Sequence, residues 1–78
     1  MHVSLNRVIE RFPNVRERAQ VQFGRDVDFQ DLCEQYRECC DALDRLESRD
    51  DSATPLRNEY AALRLRLESE LLRYLEEH

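Results

Sequence analysis

Breakers of helical structure are nearly missing from this sequence. One Gly, at position 24, and two Pro, at 13 and 55, interrupt 78 residues. A single glycine excludes a Gly-rich phosphate-cradling loop. With abundant Leu, Arg and Glu, the same scarcity predicts a nearly all-helical chain. Lysine is absent, so every basic residue is Arg, which carries no functional weight by itself. No apolar run approaches the ~20 residues that span a bilayer, and the opening MHVSLNRVIERF lacks the apolar core of a signal peptide. A cytoplasmic protein with no membrane role is therefore the expectation. The two histidines, His2 and His78, lie at the chain ends, and there is no CxxC pair. No Ser/His/Asp arrangement or paired-carboxylate cleft is visible either. Catalytic, cofactor-binding and metal-binding residues are thus expected to number none, and an enzyme with a small-molecule substrate is not expected.

What remains is strongly periodic. At 37% charged and 41% hydrophobic the chain is too apolar to be disordered, and its length allows one small domain, residues 1–78. The stretch from Asp28 to Ser48 organises it. Phe29, Leu32, Tyr36, Cys39, Leu43 and Leu46 recur in steps of three and four and form one stripe of a helix over residues 28–49. Asp28 is the expected N-cap, and Val27 with Leu32 has hydrophobic-staple spacing. An isolated amphipathic helix is marginal in water, so this stripe needs a partner.

Both flanks supply candidates. Upstream, residues 4–24 read as a helical segment with Ser4 as cap and Leu5, Val8, Ile9 and Phe12 on one face. Pro13 either ends that element at Phe12 or opens a second helical piece through Val15, Ala19 and Phe23, with Gly24 as C-terminal cap. Downstream, the polar stretch RDDSA (49–53) is a short connection, Thr54 an N-cap and Pro55 the first residue of a helix over 55–76. Its inner stripe is Leu56, Tyr60, Leu63, Leu67, Leu71 and Tyr74. The two long helices are expected to fold back on each other as an antiparallel, coiled-coil-like hairpin. Leu65, Leu72 and Leu75 form a second stripe, with Ala61 and Ala62 nearby. A helix apolar on more than one side is covered on more than one side, and these three leucines are the expected surface for a homodimer or another protein.

Charge is distributed unevenly. Residues 1–25 carry five Arg against two Glu, residues 26–51 ten acids against three Arg, and residues 52–78 five acids against four Arg. The basic N-terminal segment is expected to lie on the acidic central helix. A nucleic-acid contact through Arg7, Arg11, Arg16 and Arg18 is the rival reading, disfavoured because these Arg are dispersed through an acidic chain. The ten central carboxylates lack the turn glycine and compact cage of a calcium loop. Cys33 and Cys40 are seven apart, about 10.5 Å along a helix, and Cys39 and Cys40 diverge by about 100°. Neither pair suits a disulfide or shared metal within one helix, so packing is the expected role of the three thiols. Thiol or metal chemistry at this cluster, including a bridge between two copies, is a further alternative. Tyr36, Tyr60 and Tyr74 are expected at the core edge.

The order Arg11-Phe12-Pro13, then DFQDLCEQY (28–36), LDRLE (43–47) and LRNEYAALRLRLESELLRYL (56–75) resembles the YdcH-like family of small bacterial proteins across residues 8–75. The resemblance implies a helical hairpin of unknown biochemical function with no catalytic residues to carry over. The family's second helix is richer in acid–base pairs after its first turn, where this chain has Tyr60-Ala61-Ala62 and Leu65-Arg66. A charged binding surface there would be missing from this member. Residues and resemblance together lead to a non-enzymatic interaction module that self-associates.

Overall fold

In the computed structural model, which describes residues 3–48 and 55–77, Phe12 and Asp26 are the two described positions outside a helix. They separate α1 (Val3–Arg11), a 3-10 turn (Pro13–Val15) that runs into α2 (Arg16–Arg25), and α3 (Val27–Ser48). The last helix, α4, spans Pro55–Glu77. The described chain is all-helical and contains no strand.

Each break has a local cause. The pyrrolidine ring of Pro13 disfavours helical geometry at Phe12, which adopts φ −129° and ψ 70°. The chain then restarts at Pro13, whose missing N–H costs nothing at a helix start. At the second break Asp26 is extended, with φ −134° and ψ 109°. Its Oδ1 accepts the backbone N–H groups of Asp28 at 3.0 Å and Phe29 at 3.3 Å. Asp26 is therefore the N-cap of α3, two residues ahead of the expected Asp28. The Val27–Leu32 staple fails with it, since Val27 now occupies the first helical position and is 69% exposed. Gly24 lies inside α2 and does not cap it. The helix continues through Arg25 and stops because Asp26 must be extended to cap α3.

α3 is the central element, packed between α1 and α4, and α2 closes over its start. The buried side chains come from every helix: Leu5 and Val8 of α1, Ala19 of α2, Phe29, Cys33, Tyr36, Cys39, Cys40 and Leu43 of α3, and Leu67, Leu71 and Leu75 of α4. α3 and α4 run in opposite senses. Phe29 near the start of α3 stacks at 5.5 Å on Tyr74 near the end of α4, whereas Glu47 near the end of α3 meets Arg57 near the start of α4. The expected connection at 49–53 and the Thr54 cap lie outside the described residues. At about 1.5 Å per residue, the 23 residues of α4 nearly match the molecule's 38 Å long axis.

The stripe expected on α3 is the stripe that meets α4, with Leu32 and Leu46 at its half-buried margins. On α4 the buried side is rotated from the expected one. Leu67 and Leu71 are buried, Tyr60 and Tyr74 half-buried, but Leu56 and Leu63 are 48% and 36% exposed. The rotation follows from a third contact: α2 also packs on α4, which draws Leu75 into the core at 5% exposure. Leu75 is thus not part of an outer surface as expected. Leu72 is half-buried, and Leu65 stands in water at 61% exposure.

Candidate functional site

The only strongly buried carboxylate among the described residues of α4 marks the centre of the molecule's polar chemistry. Glu68 accepts a hydrogen bond at 2.7 Å from the hydroxyl of Tyr36 and one at 3.1 Å from Nε of Arg11. The Arg11 guanidinium also lies 5.0 Å over the ring of Phe12, a cation–π distance. One carboxylate therefore joins α1, α3 and α4. Burial first, and the bond to Glu68 second, push the Tyr36 hydroxyl well above its ordinary ionisation range. A phenol held neutral in this way donates a hydrogen bond and does not act as a base or nucleophile. Sequence reasoning missed Glu68, although the chain carries a signal for it. Ala61, Leu65, Glu68, Leu72 and Leu75 follow the four-three step of one stripe, and a charge on an apolar stripe calls for a buried partner.

A second carboxylate ties the far end together. While Oδ1 of Asp26 caps α3, its Oδ2 accepts from Gln22 at 2.7 Å and from the Tyr74 hydroxyl. The bond from Tyr74, followed by those from Gln22 and the Phe29 and Asp28 amides, holds the Asp26 carboxyl below its usual value against the opposing effect of desolvation. Tyr74 is pushed up to about 12, first by its bond to Asp26. Gln30 supports the same joint by donating to the carbonyl of Phe23 at 2.6 Å.

The N-terminal arginines are drawn onto the acidic helix. Arg7 reaches Asp41 at 3.0 Å and Asp44 at 2.9 Å, and Ser4, expected as a cap, is instead buried inside α1 and donates to Glu34. Arg37 on α3 pairs with Glu34 at 2.6 Å and with Asp41 at 3.1 Å. Of the four arginines of the nucleic-acid reading, Arg7 and Arg11 are thus engaged within the chain, and Arg16 and Arg18 remain exposed on α2.

All three cysteines are buried free thiols. Cys39 points its sulfur at the carbonyl of Tyr60, 3.1 Å away on α4. Burial pushes Cys33 up to about 12 and raises Cys39 and Cys40, with the nearby Arg64 acting in the opposite direction on the last two. Thiols raised and covered in this way are poor nucleophiles. Among the described residues no group of three or more His, Cys, Asp or Glu is placed to hold a metal ion.

The surface has two notable depressions. One, of about 470 Å³, lies between α2 and the end of α4, where Val21, Gln22 and Leu75 are bordered by Glu17, Arg18, Arg25 and Glu76. The other follows the side of the α3–α4 pair away from α1 as two hollows that share Ala42, Arg45 and Tyr60. Cys39, Leu63 and Leu67 continue its floor in one direction, and Leu46 and Leu56 in the other. It is an open groove whose lining mixes polar and apolar side chains in similar measure, a shape suited to a helix better than to a small molecule. Neither a family model, nor a curated protein, nor a solved structure matches the chain.

Proposed function

We propose that the protein is a non-enzymatic helical interaction module that self-associates through coiled-coil-like packing, as a dimeric helical bundle built on an antiparallel hairpin of α3 and α4. One observation carries this reading. Leu56, Leu63 and Leu65, three large apolar side chains of α4, stand in water, while the central groups capable of chemistry are spent on tying helices to one another. Tyr36, Glu68, Asp26 and Tyr74 hold helices together, and the thiols are buried. Leu56 and Leu63 lie on one side of α4 and Leu65 on the other, and exposed apolar side chains on an otherwise satisfied helical bundle mark a protein contact. The likeness to YdcH-like proteins supports the same reading, and no cofactor enters it.

Sedimentation equilibrium of the full chain tests it. Mass should rise with concentration through the micromolar range. Whichever of Leu63→Glu and Leu65→Glu lowers the association, while circular dichroism still reports a folded helix, marks the side of α4 that makes the contact. Leu72→Glu is a poor probe because that side chain is half-buried in its own chain. A folded species that stays monomeric throughout removes self-association from the reading.

A further inference from the structure

The groove between α3 and α4 has a charge pattern that selects its occupant. Seven charged residues lie on α3 between positions 34 and 48. Five of them, Glu34, Arg37, Asp41, Asp44 and Glu47, form ion pairs within the chain. Glu38 and Arg45 form none with a described residue, and both line the groove on either side of Ala42. Their spacing is four residues and then three, so acid, small apolar residue and base lie along one side of the helix. α4 repeats the order: Glu59, then Leu63 four residues on, then Arg66 three further, all three exposed.

Because α3 and α4 run in opposite senses, the two acid–apolar–base rows are centred at similar heights. Cys39 touches the carbonyl of Tyr60, and Ala42 and Tyr60 share both hollows of the groove. A two-fold axis crossing both helices near that height returns the pattern to itself with the sign of each charge opposed. An isologous interface needs such self-complementarity. We infer that the groove is occupied by a second copy of this chain, with α3 packed antiparallel on the partner's α3. Glu38 then meets the second copy's Arg45, and the reverse. Ala42, already 7% exposed on the floor of the groove, lies beneath the crossing, between the two exposed charges that make the contact. Leu56 and Leu63 flank the crossing and lose their exposure to water. This inference rests on the self-association proposed above and names its surface.

Charge exchange provides the test, with association of the full chain measured by sedimentation equilibrium and folding followed by circular dichroism. Both side chains are exposed, so Glu38→Arg and Arg45→Glu should leave the fold intact. Each places two like-charge pairs in a homodimer and should weaken it by about tenfold. The double variant carrying both changes restores every pair and should return to near wild-type affinity. An equimolar mixture of the two single variants should associate more tightly than either alone. If both single variants associate like the wild type while Leu65→Glu does not, the second copy sits on another face. In that case this inference falls and the self-association reading survives. If the single variants weaken but the double variant does not recover, α3 does not face α3 and the inference falls as well. Pairing of α3 with the second copy's α4 would give that result, because Glu38→Arg would then face Arg66 and Arg45→Glu would face Glu59. A wild-type chain that is monomeric throughout overturns the inference and the proposed self-association together.

Discussion

The two long sides of α3 solve the same problem differently. On the side toward α1, the seam is closed by charge laid over apolar contact. Val8, Cys33 and Cys40 are buried, and above them Ser4 meets Glu34 and Arg7 meets Asp41 and Asp44. On the other side, beyond the line of Cys39, Leu43 and Leu67, no described helix of the chain covers the groove, and Leu56 and Leu63 face water. Exposed ion pairs are worth at most ~1 kcal/mol each, so they do not hold α1 in place on their own. They leave α1 without unpaired charge against α3, and burial supplies the stability. The open side has apolar area as well, but no described helix of the chain lies on it.

Substitutions on the two sides should separate accordingly, and the largest effect belongs to the covered core. Leu71→Ala removes a fully buried side chain and should cost about 2–5 kcal/mol, a large share of the ~5–15 kcal/mol that holds a domain folded. Leu63→Ala, on the groove, should fall within about 0.5 kcal/mol for the monomer. Chemical denaturation below the association range measures both, and equal costs would erase the distinction between the sides.

An intermediate effect is expected at Glu68. Replacing it with Ala leaves the buried Tyr36 hydroxyl without its acceptor, at about 1–3 kcal/mol for a stranded buried polar group. Glu68→Gln keeps an acceptor in place and should cost less. A Glu68→Ala variant as stable as Glu68→Gln would show that the three-helix clamp contributes little.

The smallest effect should appear as a change in pH dependence at the Asp26–Tyr74 pair. Asp26 has a depressed value in the folded chain, so its contribution is present above the ordinary 3.8 of an aspartate and is lost as pH falls through the folded value. Tyr74 is raised from 10.0 to about 12, so its contribution is present below pH 10.0 and is lost as pH climbs through about 12. Tyr74→Phe should flatten the thermal stability profile at both extremes and change it less in between. An unchanged profile would mean that the bond does not persist in solution.

The helices themselves are legible in the sequence, and the stripe of α3 in particular, because a four-three spacing survives any choice of neighbour. Pro13 and Pro55 mark their boundaries correctly, since proline acts on its own backbone and that of the residue before it. The second break is not legible in the same way. Asp26, Asp28 and Asp31 are all competent caps, and what selects Asp26 is a tyrosine 48 residues away in the chain, together with Gln22. The facing of α4 escapes local pattern for a similar reason. With apolar residues on several sides, its orientation depends on where α1 and α2 settle, which periodicity alone does not report. The groove has the same cause: Leu56 and Leu63 read as seam residues until α4 is turned toward α2.

The joint at Asp26 has a mechanical corollary. A single non-helical residue separates α2 from α3, so there is no slack in which a change of length could be absorbed. Adding one residue within α2 would turn everything upstream by about 100° around the helix axis. Ala19 would swing out of the core, Gln22 would leave the carboxylate it serves, and α1 would be dragged off its seat. Length variation in this chain is therefore intolerable at that corner, and a cut there would uncouple the first two helices from the last two more thoroughly than any change of side chain.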